Sequence, residues 1–257
     1  MPEISTRTEG AIRILTISNE RKRNAFEGTM AADFLRLLNE AESDDAVRVI
    51  VVTGAGDIAF SSGHDLNEIA SGAHAESNLG EEPFLRPRSM RKPVIAAING
   101  HCYAAALIFA LNCDLRVASR NAAFGSPGAR LGMLPEGGQI GRLPRQMAPA
   151  RALELMLTAS PLPADEAYRT GFINRLVEKG EALNEALVLA RAIASNSPSV
   201  VAAIKAGVIL GEVEGVEPAA AYEATVARQL EKEADAREGV SAFLEKRAPV
   251  FGGGAQR

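Results

Sequence analysis

The sequence predicts an α/β fold with a helical C-terminal extension. Three observations carry this. Short runs rich in β-branched residues alternate with runs of helical spacing through the first two-thirds of the chain. Glycine-containing loops stand at several of the strand-to-helix transitions. From Gln139 onward the apolar spacing is helical almost to the end. The chain has 257 residues, enough for one large core, and shows neither a short-period repeat nor a linker between two cores.

In chain order, residues 11–17 alternate and read as a strand. A basic loop follows, Arg21-Lys22-Arg23, and then Met30, Phe34, Leu37, Leu38 and Ala41 fall at helical spacing. Residues 47–52 suit a buried strand, and Thr53-Gly54-Ala55-Gly56 a turn. Residues 71–89, which include His74, show little periodicity and read as a loop or loose helix beside a site. A strand at 93–98 leads into an Ala-rich helix at about 103–111, and residues 114–118 form another strand. A Gly/Pro-dense segment covers 125–138. Leu153, Leu155, Met156 and Leu157 belong to one helix, and residues 164–170 to another that Gly171 closes. Residues 172–177 make a brief strand. Leu183, Ala186, Leu187 and Ala190 share a helix face; Tyr222, Val226 and Leu230 mark a later helix, and Val240, Phe243 and Leu244 the last. The expected division is a core over 1–195 and a helical region over 196–257.

Charged residues make up 23% and the formal net charge is −4, so no global field attracts nucleic acid or an anionic membrane. Residues 93–113 carry no charge and are long enough to span a bilayer. Asn99-Gly100-His101 interrupts them, which favours a strand, a turn and a buried helix. The N-terminus shows no basic region followed by an apolar run, and Cys102 and Cys113 read as buried thiols, so a cytoplasmic protein is expected. Three scattered histidines make no recognisable metal site.

The loops at 61–66 and 99–106 place backbone N–H groups at helix starts, where they lack internal partners and suit an oxygen that gains negative charge. Several blocks then occur in order: Asn24-Ala25; Phe60-Ser61-Ser62-Gly63-His64-Asp65-Leu66; Lys92-Pro93-Val94-Ile95-Ala96-Ala97-Ile98-Asn99-Gly100; Cys113-Asp114-Leu115-Arg116-Val117-Ala118; and Phe124-Gly125. With Asp235-Ala236-Arg237-Glu238-Gly239 and Phe243-Leu244-Glu245-Lys246-Arg247, this ordered set resembles the crotonase (enoyl-CoA hydratase/isomerase) superfamily over nearly the whole chain.

The resemblance implies a crotonase-like (ClpP/crotonase) spiral of βαβ units with a helical C-terminal trimerisation region, assembled as a homotrimer or dimer of trimers. It implies an acyl-CoA thioester substrate, with coenzyme A as part of the substrate and no separate cofactor. The backbone N–H groups of His64 and Ala105 become the expected oxyanion hole. The expected substrate contacts are Arg23, Ala25, Ser62, Gly63, His64, Asp65, Leu66, Ala104, Ala105, Pro127, Gly128 and Leu131. Asp65 is also the expected cap of the helix that follows it.

The expected acid–base residues depart from the hydratase pattern. The two hydratase glutamates fall at Ile108 and Gly128. Hydration needs a water activated while a proton is delivered, which paired carboxylates do. Glu136, in Leu134-Pro135-Glu136-Gly137-Gly138, lies where some isomerases of the family carry their acid. One carboxylate can take a proton from one carbon and return it to another, and burial would raise its pKa toward a useful range. Double-bond isomerisation of an enoyl-CoA is therefore the leading expectation. Hydration, other acyl-CoA lyase or hydrolase chemistry, and non-catalytic acyl-CoA binding stay open.

Overall fold

A computed structural model describes residues 2–72 and 80–252. The strands form two sheets that the chain visits in turn. β1 (Glu3–Glu9) and β2 (Ile12–Ser18) make an antiparallel hairpin. From β2 the large sheet continues in parallel through β3 (Val49–Gly54), β5 (Val94–Ile98), β7 (Leu115–Ser119) and β10 (Arg175–Val177). After each of three long strands a short one crosses into the second sheet: β4 (Ala59–Ser61), β6 (His101–Tyr103) and β8 (Ala123–Gly125), all parallel. β9 (Leu162–Pro163) closes that sheet antiparallel to β8. Helices return the chain to the next long strand, so the result is a spiral of βαβ turns.

The central strands β3 and β5 are buried on both faces, which is why residues 49–52 and 94–98 are apolar throughout rather than alternating. On one face Leu15, Ile17, Ile50, Val52, Ala96 and Ile98 pack under α1 (Met30–Ser43), α3 (Glu82–Ser89) and α4 (Ala105–Asn112). On the other, Ile14, Val51, Ile95 and Val117 meet Ala186, Leu187 and Ala190 of α9 (Ala182–Ala194). Every residue of α4 is buried, so its sequence carries no polar stripe. The uncharged run at 93–113 is thus a strand, a short second strand and a buried helix. Among the described residues no single helix is long and apolar enough to cross a membrane.

The remaining helices are α2 (Leu66–Ser71), α5 (Gly128–Leu131), α6 (Gln139–Gln146), α7 (Pro149–Thr158), α8 (Ala164–Arg169), α10 (Pro198–Glu214), α11 (Val216–Leu230) and α12 (Ala234–Glu245).

Strands β1, β4, β8 and β9 stand where the sequence showed no strand pattern. The Ala-rich helix starts at Ala105, because residues 101–103 first pair with β4 and β8 as a strand. In the segment read as a loop or loose helix, residues 82–89 take the helical alternative despite Pro87, anchored by the fully buried Phe84. His74 lies outside the described residues. The apolar spacing of Val240, Phe243 and Leu244 does mark a helix, yet all three are exposed.

Candidate active site

Two asparagines brace the corner that leads to the first loop. Asn24 Nδ2 donates to the carbonyls of Ala55 (3.0 Å) and Ala59 (2.7 Å), and Asn99 Nδ2 to Gly56 (2.8 Å). Both side chains are buried, and these bonds pair their amides with backbone carbonyls of residues 55–59. The sequence blocks contained both residues without revealing this role.

Beyond the corner, Gly63 adopts φ +86°, a conformation that side chains resist. Phe26 N–H donates to the Gly63 carbonyl (2.8 Å) and Asp65 N–H to the Phe26 carbonyl (2.9 Å), so His64 is clamped between them. Asp65 caps α2 as expected: its carboxylate accepts the Asn67 N–H at 2.7 Å and pairs with Lys22 at 2.6 Å. Lys22 and the Asn67 N–H hold the Asp65 carboxyl below the usual carboxylate range. Within the basic run, Lys22 is therefore an internal partner. Arg23 is exposed, and its carbonyl accepts the Ser62 N–H at 3.1 Å.

The second loop ends in strain. Ala104 sits at φ 52°, ψ −122°, a conformation worth about 1–3 kcal/mol of strain in a residue with a Cβ. Its N–H is held by the Gly125 carbonyl at 2.9 Å. The twist turns the chain straight into α4, whose first N–H, on Ala105, has no acceptor within the helix. The two loops touch: a Cβ built on Gly63 would lie 2.9 Å from the Ala105 nitrogen. The structure thus brings the backbone of Gly63, next to His64, against that of Ala105 at the start of a buried helix.

The third loop closes the far side. A Cβ on Gly137 would lie 2.2 Å from Ile108 Cγ2, so this loop rests directly on Ile108, one turn along α4 from Ala105. Glu136 precedes that contact, and its carbonyl accepts the backbone N–H of Gln139 (3.2 Å) and the Gln139 side-chain amide (3.2 Å). A Cβ on Gly128 would meet the Met133 carbonyl at 2.6 Å, so this backbone admits no side chain there. Glu136 itself is exposed, so the burial expected for it is not observed among the described residues. Leu131 and Met133 are 46% and 42% exposed, and Pro127 is half-buried.

A family model described as Enoyl-CoA hydratase/isomerase matches residues 7–254. The chain belongs to the enoyl-CoA hydratase/isomerase family. It is 34% identical over 243 residues to the short-chain-enoyl-CoA hydratase of Clostridium acetobutylicum, covering 93% of each chain. It is 34% identical to the carnitinyl-CoA dehydratase of Escherichia coli, over 93% of this chain and 95% of that one. The crystal structure of an enoyl-CoA hydratase from Mycobacterium tuberculosis superposes with a TM-score of 0.91 at 33% identity, covering 98% of this chain and all of that one. The spiral is therefore the crotonase fold.

Within this family fold the other expected contacts are placed as follows. Ala25 is buried and its carbonyl accepts from Asn19 at 2.9 Å, whereas Leu66 is 57% exposed. The His64 ring packs edge-on to Phe84, and its Nε2 lies 3.6 Å from Glu81 Oε1. His101 and Tyr103 share one side of β6 with ring centroids 5.3 Å apart, and burial together with Arg23 pushes the His101 pKa down. Among the described residues no group of three His, Cys, Asp or Glu side chains is arranged to hold a metal ion.

Proposed function

We propose that this family member isomerises the double bond of an enoyl-CoA with a single carboxylate, Glu136. The observation that carries the proposal is the state of the two hydratase positions. Ile108 fills one with a branched hydrocarbon, and Gly128 is too closely packed to bear a side chain. Glu136 is the acid of the third loop and precedes Gly137, whose backbone rests on Ile108.

In this reading the thioester oxygen lies between the N–H groups of His64 and Ala105. Each donor contributes about 3 kcal/mol to a developing enolate. The Glu136 carboxylate removes a proton from C2 of a 3-enoyl-CoA, the charge spreads onto the thioester oxygen, and the resulting carboxylic acid delivers a proton to C4. The double bond moves to C2–C3 without water. The exposure of Glu136 in the free chain is consistent with bound substrate covering it. The remaining substrate contacts of the proposal are those expected from the sequence, from Arg23 to Leu131. The same reading includes assembly as trimers or paired trimers, supported by the exposed Val208, Val216 and Phe243 on the C-terminal helices.

Hydration is the second reading. The names of the relatives favour it, and the close approach of His64 Nε2 to Glu81 supplies another acid–base pair near the first loop. Replacement of Glu136 by Gln separates the two: isomerisation is lost if Glu136 shuttles the proton, whereas an unchanged rate sinks the proposal.

A further inference from the structure

At the far end of α4 a polar chain runs from the C-terminal helices to the loop of Glu136. Asn112 is 4% exposed on a helix that is otherwise hydrocarbon. Its Nδ2 donates to the Ile108 carbonyl (2.8 Å) and to the Gly137 carbonyl (3.2 Å). Its Oδ1 accepts from Arg142. Arg142 Nε donates to Glu212 Oε1 (3.2 Å), and Arg88 Nη1 to Glu212 Oε2 (2.9 Å). Glu212 is on α10, 100 positions from Asn112 in sequence. These side chains line a cavity of about 480 Å³ between α10 and the body of the spiral.

Why such a chain should exist is a physical question. A partly buried charged network is a weak source of stability, since desolvation offsets the attraction. Burial, with Arg88 nearby, pulls the Arg142 guanidinium pKa down. The loop it reaches has the opposite deficiency. Gly137 and Gly138 both adopt positive φ, 63° and 91°, so two successive residues without side chains give the Glu136 loop little stiffness of its own. Gln139 fixes the carbonyl of Glu136, and Asn112 fixes the next carbonyl along.

We infer that Asn112 and Arg142 are positioning residues that hold the Glu136 loop against α4, with Glu212 of the C-terminal helical region as their anchor. The inference rests on the proposed role of Glu136. The docking of α10 is thereby linked to the backbone next to Glu136, at the Gly137 carbonyl.

The test uses the full chain with Asn112→Leu, Glu212→Gln and, in parallel, Glu136→Gln. Turnover of 3-enoyl-CoA esters is measured together with equilibrium binding of a saturated acyl-CoA, which cannot react. A displaced catalytic group costs rate rather than affinity, so kcat should fall about 10- to 100-fold in the first two variants. KM and saturated acyl-CoA affinity should stay within about twofold. Should Asn112→Leu fail to fold, Glu212→Gln keeps the shape of the side chain and carries the test alone. An unchanged kcat, or a parallel fall in kcat, affinity and melting temperature, overturns the inference. If Glu136→Gln is inactive while the other variants are unaffected, the positioning role alone fails. If Glu136→Gln is fully active, the functional reading fails and the positioning role with it.

Discussion

Replacing Gly63 with Ala places a methyl group against the Ala105 N–H, one of the two donors of the proposed oxyanion hole. The cost can be worked out from its surroundings. At φ +86° a Cβ costs about 1–2 kcal/mol. The added carbon would lie 2.9 Å from the Ala105 nitrogen and 3.0 Å from the Ala104 Cβ. Both neighbours belong to the start of α4 and cannot swing aside, so crowding adds about 1–3 kcal/mol. Gly63→Ala should therefore lose about 2–5 kcal/mol of stability. If its methyl blocks the Ala105 N–H, kcat should also drop about 10²- to 10³-fold, the usual cost of one oxyanion donor. Gly72 is the matched control. It has φ +80° and nothing within 4 Å of its would-be Cβ, so Gly72→Ala should lose only the backbone term, about 1–2 kcal/mol, and keep its turnover. Denaturant unfolding measures the first quantity. Steady-state kinetics well below both melting midpoints measures the second. Gly63→Ala with wild-type turnover, or Gly72→Ala with an equal loss, would refute the placement of the site at this junction.

Two further predictions concern the same junction. Ala104→Gly should raise stability by up to about 1 kcal/mol in a thermal melt, because release of strain outweighs the entropy glycine loses on folding. Asp65→Ala should lose about 1 kcal/mol through the helix cap, with a further loss from the broken Lys22 pair. The Asp65 carboxyl is held below its ordinary value, so its stabilisation is complete above the unfolded pKa of about 3.9 and fades as pH falls through the lower folded value. Acid titration of the two proteins should accordingly converge at low pH and diverge above that range.

Much of the spiral could be read in the sequence because burial writes itself into residue patterns. Residues 11–17 and α1 show the alternation and the helical spacing of half-buried elements, and residues 49–52 and 94–98 the unbroken apolar run of central strands covered on both faces. What escaped was either too short to have a period or decided by tertiary contacts. Strand β6 is three residues long, and its identity comes from pairing with Cys102 at its centre. Helix α3 contains Pro87, which breaks the local signal while Phe84 anchors the helix in the core. At the site, the glycines of the three loops could be seen but not their meetings. That Gly63 faces Ala105, that Gly137 rests on Ile108 and that Gly128 has no room for a side chain are distances between remote segments. The same holds for Lys22, whose charge reads as a solvated face yet answers Asp65. The exposure of Glu136 could not be read either, because it is decided by the tertiary placement of the third loop and leaves no local pattern.

The most direct test of the single-carboxylate account is the product formed from a 3-enoyl-CoA by the wild-type chain and by Glu136→Gln, resolved by mass. The account predicts a 2-enoyl-CoA of unchanged mass from the wild type, with no added water, and no conversion by Glu136→Gln. Conversion of the 3-enoyl-CoA by Glu136→Gln at the wild-type rate, or a product heavier by one water, would contradict it.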